Sequence, residues 1–401
     1  MFVYPFTVIS MAPSDPILGL TESFNADTDR NKVNLAQGVY CNEDGNVPLL
    51  ECVRRAEEII LDRATPHSYL PIDGLHGYSR EVQEILFGKE NEVVRQERVV
   101  TVQALGGTGA LRVGADFLRS LNLAGHVWIS DPSWENHRAL FECAGFKVNT
   151  YPYYEPSTHR INFDGMLDSM ERLPAGSILV LHACCHNPTG LDLSAEQWKQ
   201  VIKVINTRGL VPFIDNAYQG FAEGLEKDAA VLRDFAEGCP VLLIASSFSK
   251  SLSLYGERVG ALSIITENAD QAARTLSHLK RLIRVTYSNP PSYGGRVAEV
   301  VLTTSELKQL WHKELGQMRD RIKKMRHELL QNIRSLRPDY DFSFMIEQRG
   351  MFSYSGLTKA QAHRLREEYA VYVLDSGRIC VAALNPRNVD YVANAIARVL
   401  I

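Results

Sequence analysis

Between about residues 95 and 266, short runs of β-branched and aliphatic residues alternate with segments of helical period. The runs are Val99 to Leu105, Val127 to Ser130, Ile178 to Leu181, Leu210 to Ile214, Val241 to Ala245 and Ala261 to Ile265. Strand, helix and strand in regular succession is the pattern of a mostly parallel sheet flanked by helices, so an α/β fold is predicted. One interval is fully specified. Ser194 stands at an N-cap with Gln197 at the capping-box position, Trp198, Val201, Ile202 and Ile205 share a face, and Gly209 ends the segment. After about residue 315 the pattern changes. Leu315, Met318, Ile322, Met325, Leu329, Ile333 and Leu336 predict a long amphipathic helix, with alternating strands and two more helices behind it. That reads as a second, smaller α+β domain. The basic residues of this helix, Arg319, Arg321, Lys323, Lys324 and Arg326, are expected on a solvated face rather than against an acidic partner.

Composition narrows the functional classes. The chain has 401 residues, 45% hydrophobic and 22% charged, with a formal net charge of -4. These values argue against a nucleic-acid or polybasic membrane partner and for a small-molecule substrate. The cysteines, seven in number, contain no CxxC pair, do not read as a disulfide framework, and fit a reducing cytoplasm. The start, MFVYPFTVISM, lacks a basic n-region and is interrupted by Pro5, so it is expected to be an arm. No stretch approaches the roughly 20 apolar residues of a membrane-spanning helix.

In open α/β sheets, ligands bind beyond the carboxyl ends of the strands. After the first run comes GGTGALRVGADF, whose glycines and following helix N-terminus suit a phosphate, although a plain tight turn looks the same. It lacks the lysine of a Walker A loop and the spacing of GxGxxG. After the second comes DPSWENH, in which Trp134 could stack on a flat ligand or simply fill the core, with His137 close behind. Asp215 follows the fourth run, with Tyr218 nearby; a buried carboxylate needs a cationic or metal partner, and a protonated pyridine nitrogen would serve. SSFSKSLSLYGER follows the fifth and places Lys250 among small hydroxyl residues, with Arg258 eight positions on. A surface lysine is the bland alternative. A desolvated one would have a lowered pKa and an amine free for Schiff-base chemistry. HACCHNPTG invites a zinc reading, but Cys184 and Cys185 are expected to point to opposite faces of an extended strand, and Asn187-Pro188 more simply marks a turning strand end. A phosphate turn, an aromatic stacker, an acid, an amide and a lysine together ask for a planar, phosphorylated, carbonyl-bearing cofactor with a basic ring nitrogen, which pyridoxal 5′-phosphate answers.

The motifs SFSKSLSLYGERVG, HNPTG, DNAYQG and YSNPP, in that relation, closely resemble the class I aminotransferases of the aspartate and aromatic group, from DPILGL near the start to GRICVAALN near the end. The resemblance implies the fold type I of pyridoxal-phosphate-dependent transferases. It divides the chain into 1–46, an N-terminal arm and part of the small domain, 47–315, a large cofactor-binding domain, and 316–401, the small domain. It implies that Lys250 bonds the cofactor covalently, that Asp215 pairs with the pyridinium nitrogen, that Asn187 and Tyr218 bond the ring hydroxyl, and that Trp134 stacks on the ring while His137 buttresses Asp215. Phosphate would be held by Gly107, Thr108, Ser247, Ser249 and Arg258, with Tyr69 from a second subunit of a homodimer with shared sites. Arg378 would grip the substrate α-carboxylate, and Arg284 of the other subunit a side-chain carboxylate. Gly38 in NLAQGVY matches a substrate-side backbone position, where Ala36 and Gln37 depart from the commoner NLGIGVY or NLGVGVY. The wording NEDG, YLPIDG, DPSWENH and CVAALN resembles bacterial aromatic-amino-acid (tyrosine) aminotransferases more than narrow aspartate enzymes. The implied activity is ping-pong transfer of the amino group of Phe, Tyr, Trp and aspartate to 2-oxoglutarate; aspartate aminotransferase of dicarboxylate specificity is the alternative.

Overall fold

The structure, a computed structural model, describes residues 17–64, 66–122 and 125–400, together with 6, 9–11 and 15. Most of the expected N-terminal arm lies outside the described residues. The apolar runs become the strands of one seven-stranded sheet: β1 Val99–Leu105, β2 His126–Asp131, β3 Lys147–Pro152, β4 Ile178–His182, β5 Val211–Asn216, β6 Leu242–Ser247 and β7 Val259–Ile265, in the spatial order β1-β7-β6-β5-β4-β2-β3. Pairings from β3 through β2, β4 and β5 to β6 are parallel. β7 is antiparallel to both of its neighbours, β1 and β6. Strand β3 has no counterpart among the expected runs. It is an edge strand whose Asn149 and Thr150 interrupt the apolar pattern.

Both faces of the sheet are covered, which is why its strands read as continuous apolar runs. Alternate residues feed two separate cores: Ile178 and Val180 of β4 join one, Leu179 and Leu181 the other. Six helices matter for the site: α1 Leu18–Ala26, α2 Gly106–Ser120, α3 Glu135–Cys143, α4 Ala195–Arg208, α5 Ala269–Thr286 and α6 Ser305–Leu336. α2 lies flat on the sheet because Gly114 has no side chain; a Cβ there would come within 2.4 Å of the Phe213 ring on β5. α4 carries the predicted capping box of Ser194 and Gln197, and Gly209 closes it with φ +63°.

The long helix α6 starts at Ser305, ten positions before its predicted apolar stripe, so the expected boundary at 315/316 falls within it. Leu315, Met318, Ile322, Met325, Leu329 and Ile333 are buried as expected, whereas Leu336 is exposed. The expectation that its basic residues are all solvated is corrected. Arg326 is buried, its Nε donating to Ser353 Oγ at 3.0 Å and its Nη2 to the Gly350 carbonyl at 2.6 Å. Arg321 reaches inward to the carbonyls of Asn42 and Leu384. Beyond α6, Phe352–Tyr354 pairs antiparallel with Arg378–Cys380, and Val33–Asn34 pairs parallel with Val371–Tyr372. These pairings bring the segment around residue 35 against Arg378.

Candidate active site

Strands β4, β5 and β6 end side by side, with His182 in register with Asp215 and Asn216 with Ser246. Parallel pairing aims all three carboxyl ends the same way, so the residues after them converge on one cleft. Asp215 is buried, and its Oδ2 lies 3.0 Å from His137 Nε2. His137 Nδ1 lies 2.9 Å from Ser133 Oγ. A neutral imidazole can satisfy both contacts by donating from Nε2 and accepting the serine hydroxyl at Nδ1. Burial alone would raise the Asp215 pKa, but the His137 hydrogen bond and the nearby imidazoles and Lys250 bring it below the usual carboxylate value, so it stays anionic. Trp134 stands edge-on to the His137 ring at 5.2 Å.

Lys250 lies in the turn after β6, its Nζ 5.1 Å from the centroid of the buried Tyr218 ring. Desolvation lowers its pKa to about 8; Asp215 opposes the shift, while Arg258 and Arg378 add to it. An amine of this kind is neutral in roughly a tenth of molecules at pH 7 and in about half near pH 8, far more than an ordinary lysine, and the neutral form is the one that adds to a carbonyl.

On one side of Lys250 lies an anion cradle. α2 begins at Gly106, so the N–H groups of its first turn, among them those of Gly107 and Thr108, have no partner within the helix and suit an anion. A Cβ on Gly107 would lie 3.3 Å from Ser247, and one on Gly106 would meet the Arg258 guanidinium at 2.7 Å. Ser249 Oγ accepts from Arg258 Nη1 at 3.3 Å. Gly107, Ser247, Ser249 and Arg258 are therefore brought together, with Thr108 in the first turn of the same helix.

On the other side is Arg378, 1% exposed. Its Nη1 donates to Asn187 Oδ1 at 3.1 Å and its Nη2 to the Ala36 carbonyl at 2.6 Å. The departure from the family wording at Ala36 thus sits on a fully buried residue whose backbone holds this cation. Gly38 packs so closely on Phe352 that a Cβ would lie 2.8 Å from the ring.

Three features were not anticipated. Asp192 accepts from the backbone N–H groups of Cys185 and His186, at 2.8 and 3.0 Å, and fixes the turn that presents Asn187; burial pushes its pKa up to about 6 against those bonds. An acid just past HNPTG was the available signal. His182 is buried beside His137, with its pKa lowered to about 3 by desolvation and by that neighbour. Glu135 approaches Arg378 at 4.0 Å. The cysteine geometry is also corrected. β4 stops at His182, and Cys184 and Cys185 are both buried in the following bend, Cys185 with φ +51°. Among the described residues the group close enough to share a metal ion is His137, His182 and Asp215, which takes one histidine of HACCH and neither of its cysteines.

Tyr69 and Arg284 stand apart in the single chain. Tyr69 is 91% exposed, and Arg284, on the outer face of α5, hydrogen-bonds Ser288.

In sequence and fold the chain is similar to known proteins. A family model, "Aminotransferase class I and II", matches residues 30–396. The chain is 54% identical to an aspartate aminotransferase of Pseudomonas aeruginosa, over 98% of this chain and 99% of that one. It is 48% identical to an aromatic-amino-acid aminotransferase of Escherichia coli, over 98% and 100%. The crystal structure of an aromatic-amino-acid aminotransferase from Burkholderia pseudomallei, covalently bound to pyridoxal phosphate, superposes with a TM-score of 0.97 at 58% identity, covering all of both chains. Matched along nearly its whole length in sequence and fold, the chain belongs to the class I and II aminotransferases.

Proposed function

We propose that this aminotransferase binds pyridoxal 5′-phosphate through Lys250 and transfers the amino group of aromatic L-amino acids and of aspartate to 2-oxoglutarate in a ping-pong cycle. The observation that carries the reading is the lysine itself: an amine with a pKa near 8 between a buried anionic Asp215 and an anion cradle. The residues fit the cofactor. The buried Asp215 carboxylate has a histidine but no cationic side chain in hydrogen-bond contact among the described residues, and the glycines of the cradle leave room that a Cβ would fill.

In this reading Gly107, Thr108, Ser247, Ser249 and Arg258 hold the phosphate, joined by Tyr69 of a second subunit. Asp215, oriented by His137, pairs with the ring nitrogen; Asn187 and Tyr218 bond the ring hydroxyl, and Trp134 covers the ring. When bound, the cofactor supplies a cationic ring that takes up the electrons left behind when the substrate loses its α-proton. Lys250 Nζ carries that proton, and Arg378 grips the α-carboxylate beside Gly38. Arg284 of the second subunit meets the side-chain carboxylate of aspartate or 2-oxoglutarate. The protein acts as a cytoplasmic homodimer, with 47–315 as the cofactor-binding domain and 316–401, with part of 1–46, as the smaller one. Among the described residues no helix is long and apolar enough to cross a membrane.

Borohydride reduction followed by peptide mapping tests the core of this reading: the pyridoxyl group is expected on Lys250, and Lys250→Ala should fold yet lose turnover. A label on Lys199 or Lys280 would overturn it. The narrower aspartate reading has support of its own, in the name of the Pseudomonas relative. Half-reactions with aspartate, phenylalanine, tyrosine and tryptophan, followed by cofactor absorbance, separate the two.

A further inference from the structure

The charge of Arg378 is incompletely answered. Its hydrogen-bond partners Asn187 and the Ala36 carbonyl are neutral, its Nε has no partner, and its Cζ lies 4.2 Å from the centroid of the Phe352 ring. The carboxylate within ion-pair reach, among the described residues, is Glu135, with Oε2 at 4.0 Å from Nη1. That distance is too long for a hydrogen bond. Oε2 is itself buried and without a partner, although the side chain as a whole is 30% exposed. Glu135 opens α3, where the helix dipole favours a negative charge. It also lines an open groove of about 610 Å³, large enough to receive a displaced side chain; the groove's other charged residues are Arg366, a cation for the carboxylate to approach, and the acids Asp15, Glu22 and Asp375.

The buried, unpartnered Oε2 of Glu135 thus stands near a guanidinium that keeps one N–H group, at Nε, unpaired, and the two charges do not close a hydrogen bond. A substrate carboxylate seated on the guanidinium would stand within a few ångströms of the Glu135 carboxylate, and like charges at that range repel strongly when partly desolvated. We propose that Glu135 is the resident counter-charge of Arg378 in the substrate-free site, displaced toward the groove by each entering carboxylate, and that it thereby sets the affinity for carboxylates. The proposal rests on the reading of Arg378 as the α-carboxylate ligand. Glu135 is a positioning residue in it, acting through Arg378.

The test is calorimetric titration of the holoenzyme with 3-phenylpropionate, an unreactive carboxylate, and with 3-phenylpropionamide, the same ring without the charge. Glu135→Gln should bind the acid more tightly, on the order of three- to thirtyfold, the span between exposed and buried charge pairs. Affinity for the amide should not change, and KM for amino acids should fall by more than kcat changes. Glu135→Asp, with its carboxylate one methylene further back, should shift acid binding the same way by less, and it decides the matter alone if the Gln variant does not fold. Unchanged or weaker acid binding overturns the proposal, as does equal tightening of acid and amide, which would mean a change of shape rather than charge. A wild-type holoenzyme that does not bind the acid overturns instead the assignment of Arg378 on which the proposal rests.

Discussion

At the scale of single residues, the electrostatic coupling between Lys250 and Asp215 yields a pH dependence with a definite sign. Burial lowers the lysine pKa to about 8, and Asp215 opposes that shift. In the cofactor-free protein, the rate of covalent attachment of pyridoxal 5′-phosphate should therefore rise with pH, as the ammonium loses its proton, and level off above about 8. A rise that continues toward the ordinary lysine value near ~10.4 would contradict a desolvated amine. In Asp215→Asn the opposing attraction is gone, so the midpoint should move lower still. The same variant should slow the chemical step on the order of 10²- to 10³-fold, the scale for deleting one preorganised electrostatic stabiliser; single-turnover absorbance measures it. Lys250 and Asp215 were legible in the sequence because each is chemically costly at a strand end, and cost is visible without knowing the neighbours. Glu135 and Asp192 were not, because their significance comes from partners far along the chain or from backbone N–H groups that no residue letter records.

At the scale of elements, the turn bearing Lys250 is tied to α6. Trp311, fully buried, donates its indole N–H to the Ser251 carbonyl at 2.7 Å. Trp311→Phe keeps an aromatic ring but leaves that carbonyl unpaired, which should cost about 1–3 kcal/mol of stability. Urea unfolding of the holoenzyme reads the loss; a variant as stable as the wild type would show that the bond contributes nothing. The elements themselves were largely readable. Runs bounded by turn residues became strands with ends shifted by one or two residues, and the Ser194 capping box formed as written. The edge strand Lys147–Pro152 escaped because it is half solvated and polar in its middle. The antiparallel course of Val259–Ile265 escaped because periodicity records burial and not direction. Arg326 escaped too: a guanidinium can be buried against neutral oxygens, here two carbonyls and the Ser353 hydroxyl, which a charge pattern does not reveal.

At the scale of the whole molecule, the exposure of Tyr69 and Arg284 in a single chain fits a site completed by a second copy. Mixing Lys250→Ala, inactive with every substrate, with a Tyr69 variant, or with an Arg284 variant assayed on aspartate, should raise activity through hybrid dimers, since one site then receives intact parts from both chains. A fully active monomer in sedimentation would exclude this. Arg284→Leu alone should lower catalytic efficiency with dicarboxylates by roughly 2–5 kcal/mol, the scale for truncating a buried charge pair, and spare aromatic substrates. Equal losses for aspartate and phenylalanine would favour the narrower specificity.

The antiparallel strand β7 has one more consequence, for chain length. Because β6 and β7 are neighbours running in opposite directions, residues 248–258 join them directly, and Ser249, Lys250 and Arg258 all ride on that one connection. The parallel strands are joined by long excursions whose outer loops can grow or shrink without moving a strand end. This connection has no such slack. With Gly260 paired to Ser247, one residue inserted between Lys250 and Arg258 must bulge out of this short connection or shift Arg258 against Lys250. For engineering, residues 248–258 can be exchanged between relatives as a cassette of one fixed length, and changes of length belong in the loops elsewhere.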